Sequence, residues 1–416
     1  MSLLNKIERN SKSILIFLVA VQVLAGFIYS VYLGNELRFL PDEEHYFNLA
    51  SNIFERFSYS IDGQHSTAYR PPGYPFFLSP FSSLGAGFLL ARILNYVLLA
   101  LSTCLVYLTL QEQHSSIAGV LGAMMVFAYP VFFFTASTLY PQTLASFLLL
   151  AIIYFIAGDE VKLKHFLIIG FLFAWLVLTV PTFAFTLMVF TIWSFAHRFR
   201  VRDILAMWAV VFIILSMWSI RNYRVFDTFV FVSTNGGENL LLGNSENTIP
   251  NAGRKVSIWK YENEASGMSE VERDRYLGQQ AFEYIKNNKV RTLQLYGLKV
   301  LNYFNYRNEL VTETGMGQIR DFLMLLTYGL LLAIFILRLL FAGRYRLNAF
   351  EALLIIVYIA NAFFSAIFFT RIRFRLPFDY LAIMVVALFI GRVLHQRFVA
   401  STVSNSQISV RKSTVY

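Results

Sequence analysis

Along this chain the apolar positions neither alternate nor repeat on one face; they form long unbroken runs separated by short polar turns. Such runs predict membrane-spanning helices, since about 20 apolar residues cross the hydrocarbon core of a bilayer. By that ruler spans are expected near 13–33, 86–110, 116–135, 138–157, 165–180, 182–196, 203–220, 321–341, 350–370 and 376–396. The fifth and sixth are short and meet at Pro181. Two stretches break the pattern: a loop from Gly34 to Ser83, and Arg221–Arg320, which alone has the composition of a water-soluble segment. Within the latter, Ser269-Glu270-Val271-Glu272 has the form of a capping box and predicts a helix through Asn287. Val290–Tyr306 is aromatic-rich and amphipathic, the pattern of a helix lying along a membrane surface. The tail from Ser401 to Tyr416, rich in Ser, Thr and Val, is expected to be loose.

Composition supports an all-α integral membrane bundle. The 416 residues are 57% hydrophobic, 17% aromatic and only 14% charged, where soluble domains average about 25% charged. A net charge of +10 would suit nucleic acid, but no basic stripe on a nucleic-acid fold accompanies it. Instead Lys6, Arg9 and Lys12, Lys162 and Lys164, Arg198, Arg200 and Arg202, Arg338, Arg344 and Arg346, and Arg392, Arg397, Arg411 and Lys412 fall on one side of the predicted spans. That side is expected to be cytoplasmic. Both termini then lie inside, and the loop 34–83 and the stretch 221–320 lie outside. The first apolar run follows basic residues without a small-residue cleavage site, and reads as a retained signal anchor. Cys104 is the only cysteine, which excludes disulfides within the chain and cysteine-based metal sites. The expected domains are a transmembrane region 1–220 with its outer loop 34–83, an outer domain 221–320, transmembrane helices 321–400 and the tail 401–416.

Charged residues at the rim of a lipid-embedded bundle are costly unless used. Asp42-Glu43-Glu44-His45-Tyr46 is one such cluster; a solvated loop or a helix N-terminus would also account for it. Tyr69-Arg70-Pro71-Pro72-Gly73-Tyr74-Pro75 is another, in which two prolines and a glycine fix a rigid turn behind Arg70, as a phosphate contact requires. Arg371, Arg373 and Arg375 run against the positive-inside trend between the last two spans. An extended segment would put all three on one face, and arginines suit bidentate phosphate contacts; headgroup binding is the plainer account. Asn235, Asn239 and Asn244 sit in a Gly- and Asn-rich run of the kind that makes turns or meets sugar hydroxyls. Asp62 with His65 keeps metal binding open, while no Gly-rich phosphate loop, Ser-His-Asp order or zinc spacing occurs.

Taken in order, Asp42-Glu43-x-x-Tyr46, Arg70-Pro-Pro-Gly-Tyr-Pro75, Trp218-x-x-Arg221-Asn222-Tyr223, Ser233-Thr-Asn-Gly-Gly237 with Gly243-Asn244, and Arg373-Phe-Arg375-Leu-Pro377 resemble the GT-C glycosyltransferases. The closer likeness is to the bacterial branch similar to protein O-mannosyltransferases and aminoarabinose transferases, over about residues 13–396. The resemblance implies a GT-C-like bundle of about ten transmembrane helices with a small mixed outer domain, taking sugar from a polyprenyl-phosphate donor on the outer face of a bacterial inner membrane. It makes Asp42, with Glu43 beside it, the catalytic carboxylate, and Arg70, Arg373, Arg375 and His45 the donor-phosphate ligands. Tyr46, Tyr69, Tyr74, Arg221 and the three asparagines would line the sugar or acceptor site. His45 stands where relatives often carry arginine. Gln142 replaces an acid after Leu139-Tyr140-Pro141, and Val180 replaces an arginine before Pro181-Thr182; these departures remove a second carboxylate and one phosphate ligand. No cofactor is demanded, though Mg2+ or Mn2+ stays open. The acceptor can be a glycan, a lipid or a protein; membrane lipids are the other partners, and nucleic acid is not one. The rivals are a polysaccharide polymerase or ligase with a diphosphate-linked donor, and a lipid or solute transporter.

Overall fold

A computed structural model describes residues 3–37, 42–82, 87–113, 115–158, 160–251, 256–307 and 317–413. Pro41 and Ser83, at the ends of the predicted outer-loop motifs, lie outside the described residues. The N-terminal part runs through α1 (Leu3–Arg9), α2 (Ser11–Leu33), α3 (Asp42–Arg56), α4 (Gly73–Ser82), α5 (Gly87–Glu112), α6 (Ser116–Phe127), α7 (Pro130–Ala136) and α8 (Gln142–Ala157). It continues with α9 (Leu163–Thr179), α10 (Phe183–Ala196) and α11 (Val201–Phe226). The polar stretch holds α12 (Gly236–Gly243), α13 (Trp259–Glu264), α14 (Glu270–Asn287) and α15 (Lys289–Tyr303). The chain ends with α16 (Gly317–Met324), a π-helical turn, α17 (Leu330–Leu340), α18 (Ala349–Ser365) and α19 (Ile372–Ser413). Among the described residues there is no β-sheet, only one isolated bridge between Ser60 and Ser66.

Every predicted span is a helix, but not every one is long enough to cross a membrane alone. Among the described residues five helices have the length and composition, at Ser11–Leu33, Gly87–Glu112, Val201–Phe226, Gln318–Gly343 and Ile372–Gln396. The expected span 116–135 is a pair, α6 and α7, bent by 60°; Pro130 has no N–H to continue the ladder, so the helix stops before it. The helices α8, α9, α10 and α18 have 16, 17, 14 and 17 residues. At 1.5 Å per residue they are about 21–26 Å long, short of a core of about 30 Å. The tail differs from expectation too: helix α19 runs on to Ser413, through a segment with neither Gly nor Pro to stop it.

Burial orders the bundle. Residues Leu381–Leu388 of α19 are all almost fully buried, so this helix is apolar on every face and sits at the centre. Helix α2 is peripheral, with Ile16, Phe17, Leu24 and Ile28 each at least 59% exposed, a lipid-facing stripe. The helices of the polar stretch form their own small core around Leu241, Val256, Ile258, Leu277 and Ala281. Two glycines allow that core to close. A Cβ on Gly237 would stand 1.9 Å from the carbonyl oxygen of Asp274 on α14, and one on Gly243 1.9 Å from that of Phe368. The capping box of α14 forms as predicted, with Ser269 Oγ and the Glu272 carboxylate exchanging bonds across the first turn.

Candidate active site

Three acids in the first turn of α3 suit its positive N-terminal dipole, but successive helical residues lie about 100° apart and the run is split. Asp42 is half-buried and faces the loop, Glu43 is fully buried, and Glu44 is exposed. Glu43 Oε1 accepts the Leu139 backbone N–H at 2.8 Å. It thus ties α3 to the break before α8, and the expected catalytic partner of Asp42 is turned into the bundle instead.

The loop after α3 folds back over it. Asn52 Nδ2 donates to Ser60 O at 2.8 Å, and the Tyr59 hydroxyl to Arg70 O at 2.8 Å. Arg70 Nη2 then meets Asp42 Oδ1 at 2.5 Å, and its guanidinium lies over the rings of Tyr69 at 4.9 Å and Tyr46 at 5.6 Å. From the far end of the sequence, Arg373 Nη1 reaches Asp42 Oδ2 at 3.3 Å and covers the Tyr140 ring at 5.2 Å. Arg373 thus bridges Asp42 and the ring of Tyr140. Arg70 and Arg373 each keep a buried Nε with no hydrogen-bond partner. Two cations share one carboxylate, and each holds a donor in reserve.

Burial pushes the Asp42 carboxyl up, but Arg70 and then Arg373 outweigh it and hold the group below its ordinary value. His45 is lowered by burial and by Arg70, which keeps the imidazole neutral near pH 7. Its Nδ1 lies 3.4 Å from Arg70 Nη2. A guanidinium can only donate, so Nδ1 accepts and the ring hydrogen is assigned to Nε2.

Other predicted residues are not brought to Asp42. Arg375 is the clearest correction. The segment is helical, not extended, so residues 373 and 375 lie about 200° apart on opposite faces. Arg375 is fully buried: Nε binds Asp379 at 2.9 Å, Nη1 binds the carbonyls of Tyr303 at 2.6 Å and Asn305 at 2.8 Å, and the guanidinium rests 3.4 Å from the Tyr328 ring centre. Tyr74 is fully buried and hydrogen-bonded to Asn95 rather than open to a sugar. Arg221 donates to the carbonyls of Thr67 at 2.8 Å and Tyr59 at 3.3 Å, so it holds the loop rather than a ligand. Asn244 is buried, donating to Leu240 O and Ile367 O. Asn239 Nδ2 turns back to Asn235 O at 2.7 Å, and Asn235 Oδ1 accepts from Ser233. Tyr46 and Tyr69 do belong to the site, as walls for Arg70.

Several site residues escaped the sequence reading. Tyr140 stands two residues before Gln142, and nothing local to it marks a contact with Arg373. In the sequence Glu270 is marked only as the first residue after a helix cap. It accepts from Thr67 Oγ1 at 2.6 Å, Ala68 N at 2.8 Å and Thr234 Oγ1 at 2.5 Å, and so clamps the strand of loop that carries Arg70. Glu238 accepts from the Tyr69 hydroxyl at 3.1 Å, behind the ring that backs Arg70. Arg92, fully buried in α5, donates to the carbonyls of Ser137, Gly34 and Glu36 and fixes where the outer loop leaves α2.

The residues present do not form a cradle for a divalent cation. Both Asp42 oxygens face arginines, Glu43 is turned inward, and His45 Nδ1 faces Arg70. Asp62 and His65 pair at 2.7 Å on the exposed loop tip. Among the described residues no three His, Cys, Asp or Glu side chains converge as metal ligands.

No family model matches this chain, and no curated protein matches it by sequence. Solved structures do. The apo oligosaccharyltransferase of Archaeoglobus fulgidus superposes with a TM-score of 0.53 at 15% identity, over 93% of this chain and 52% of that one. The same archaeal enzyme, AglB, in complex with an inhibitory peptide and a dolichol-phosphate gives 0.51 at 15%, with the same coverage. The chain thus spans about half the length of the archaeal enzyme. ArnT from Cupriavidus metallidurans, at 13% identity over 90% of this chain and 76% of that one, gives 0.43, too loose a likeness to bear on the fold. At such identities the likeness is one of fold alone, a helical bundle shared with the archaeal oligosaccharyltransferase.

Proposed function

We propose that the protein is a membrane glycosyltransferase that moves a sugar from a polyprenyl-phosphate donor to an acceptor hydroxyl. The observation that carries this reading is the meeting of Arg70 and Arg373 on Asp42, with a buried, unpartnered Nε on each. One carboxylate leaves two guanidinium groups with a net positive charge, and their idle donors suit the oxygens of a phosphate. The fold shared with an oligosaccharyltransferase solved with dolichol-phosphate supports the same ligand class.

The chemistry follows from the charges. A donor phosphate entering beside Asp42 competes for both arginines, and a carboxylate released from two cations becomes a stronger base. Asp42 takes the proton of the acceptor hydroxyl as its oxygen attacks the anomeric carbon, and the bond from that carbon to the phosphate oxygen breaks on the opposite side, inverting the centre. The phosphate leaves with the bonding pair, stabilised by Arg70 and Arg373 and by the Nε2–H of neutral His45. Tyr46, Tyr69 and Tyr140 wall the site with aromatic faces.

We place this site on the outer face of a bacterial inner membrane. Support comes from the distance between Arg221, which contacts the loop, and the basic cluster Arg198–Arg202 at the other end of α11. That helix separates them by about 30 Å, and basic clusters mark the cytoplasmic side. The test is transfer from a labelled undecaprenyl-phosphate sugar by purified protein in vesicles, with Asp42→Asn beside it. Loss of transfer by a folded variant supports the reading; full activity in that variant removes Asp42 as the base.

A further inference from the structure

Helix α15 is amphipathic the wrong way round for a helix facing water. Its outward face carries Val290, Leu293, Leu298 and Leu301, exposed by 74%, 73%, 45% and 71%. Their spacing is that of one helical stripe, and Gly297 lies in the same row. The inward face holds its only lysine past the first turn. Lys299 is 1% exposed and donates to Phe368 O at 2.8 Å, Gly243 O at 3.1 Å and Asn244 Oδ1 at 3.3 Å. In water this arrangement would expose what should be buried and bury what should be exposed. Beside the stripe runs an open apolar groove of about 660 Å3, lined by Arg291, Gln294, Gly297, Leu298, Leu301 and Phe363.

Two further observations say what covers this face. The groove opens onto α18, whose Ile356 and Phe363 are 48% and 46% exposed, and onto Ile367 just beyond it, 40% exposed, so it continues the apolar surface of the bundle. At its other end Lys286, Lys289 and Arg291 are exposed, and α15 contains no acidic residue. We infer that α15 lies in the interface of a phospholipid leaflet, with an acyl chain along the groove and an anionic headgroup at Lys289 and Arg291. The inner face of the helix grips the segment that leads to Arg373. Thr370 Oγ1 donates to Lys299 O at 2.9 Å, and Asn302 Nδ2 donates to Thr370 O at 3.1 Å. A helix held at headgroup depth therefore sets the depth of Arg373. The inference stands whether or not the transfer chemistry does.

The experiment is nitroxide scanning of full-length protein in vesicles. In a Cys104→Ser background, single cysteines replace Leu293, Gly297 and Leu301, with Lys260 as the exposed control. A Cβ at Gly297 meets nothing within 4 Å, so the label there disturbs no packing. In phosphatidylcholine vesicles containing phosphatidylglycerol, labels at the three α15 positions are expected to collide several-fold more often with oxygen than with a water-soluble nickel chelate, and the control the reverse. Removing phosphatidylglycerol, or replacing Lys289 and Arg291 by alanine, is expected to move the labels toward water. Nickel-favoured collision at all three positions overturns the inference, and so does protection from both reagents, which would mean a protein partner. A move into oxygen-rich surroundings only after undecaprenyl phosphate is added would assign the groove to the prenyl lipid instead. Indifference to phosphatidylglycerol would remove the anionic headgroup.

Discussion

Two Asp–Arg pairings stand within two residues of each other on α19, and they do opposite work. At the rim, Asp42 is 21% exposed and takes both Arg70 and Arg373, themselves 13% and 31% exposed. Inside the bundle, Asp379 and Arg375 are both fully buried, one acid to one base. The buried pair also spends guanidinium donors on the carbonyls that end α15. Balanced and desolvated, with only Nη2 of Arg375 left without a partner, it fixes where α19 starts relative to α15. The rim cluster carries surplus positive charge and idle donors beside a solvent-reachable carboxylate. Imbalance of charge, rather than the residue types, separates the proposed phosphate site from a structural tie.

The strongest way to break that contrast is Asp42→Asn. Transfer is expected to fall by about 10²–10⁴-fold with loss of the base, while binding of undecaprenyl phosphate tightens because the carboxylate no longer competes for the arginines. A scintillation assay and a binding titration on one preparation check both; weakened binding would mean the arginines do not receive the phosphate. Next is Arg375→Met, which leaves Asp379 buried without its cation. It is expected to cost about 3–5 kcal/mol of stability, read as a lower Tm in detergent, whereas Arg373→Met should leave Tm nearly unchanged. The latter should weaken lipid-phosphate binding by about 1.5–3 kcal/mol, the scale of a hydrogen bond to a charged group. An equal loss of Tm in both variants would erase the distinction.

Glu270→Ala tests whether the outer segment positions Arg70. Losing the acceptor shared by Thr67, Ala68 and Thr234 is expected to lower kcat by up to about 100-fold through misplacement alone. Glu270→Gln keeps acceptor oxygen and should restore most of it; a purely structural role would move Tm without this recovery. The smallest effect is in pH. His45 lies below its ordinary 6.5 in the folded protein. As pH falls through that window the unfolded chain takes up a proton that the folded chain refuses, so stability declines toward acid. Asp42, held below its ordinary 3.8, contributes stability that is present above that value and lost as pH falls through the folded one. His45→Gln should flatten the upper part of this decline, seen as a Tm less sensitive to mild acid; an unchanged profile would show that His45 binds its proton equally well folded and unfolded.

The outline of the bundle was legible because lipid enforces long apolar runs, and each predicted run is a helix. The number of crossings was not, since length in residues counts only where the helix stays straight: Pro130 bends one run and four others are short. Part of the site was legible as well. Asp42 and Arg70 sit in motifs with an obvious cost at a membrane rim, and Arg373 lies where basic residues run against the charge bias. The misreadings share one cause. Arg375 is expected beside Arg373 on an extended segment, and Glu43 beside Asp42, but each residue of a helix turns about 100° from the last, and both face inward.

The sequence by itself determined the solvent each segment prefers, because burial of apolar runs and the siting of basic loops depend on composition alone. It also determined the chemical types available at the outer rim. Only the tertiary structure decided which of those charges meet. Contacts such as Arg373 with Asp42, Arg373 with Tyr140, or Glu270 with Thr67 join segments far apart in the chain, and they depend on helix rotation and on close approaches at Gly237 and Gly243. No local pattern encodes a helix's rotation against its neighbours; packing does.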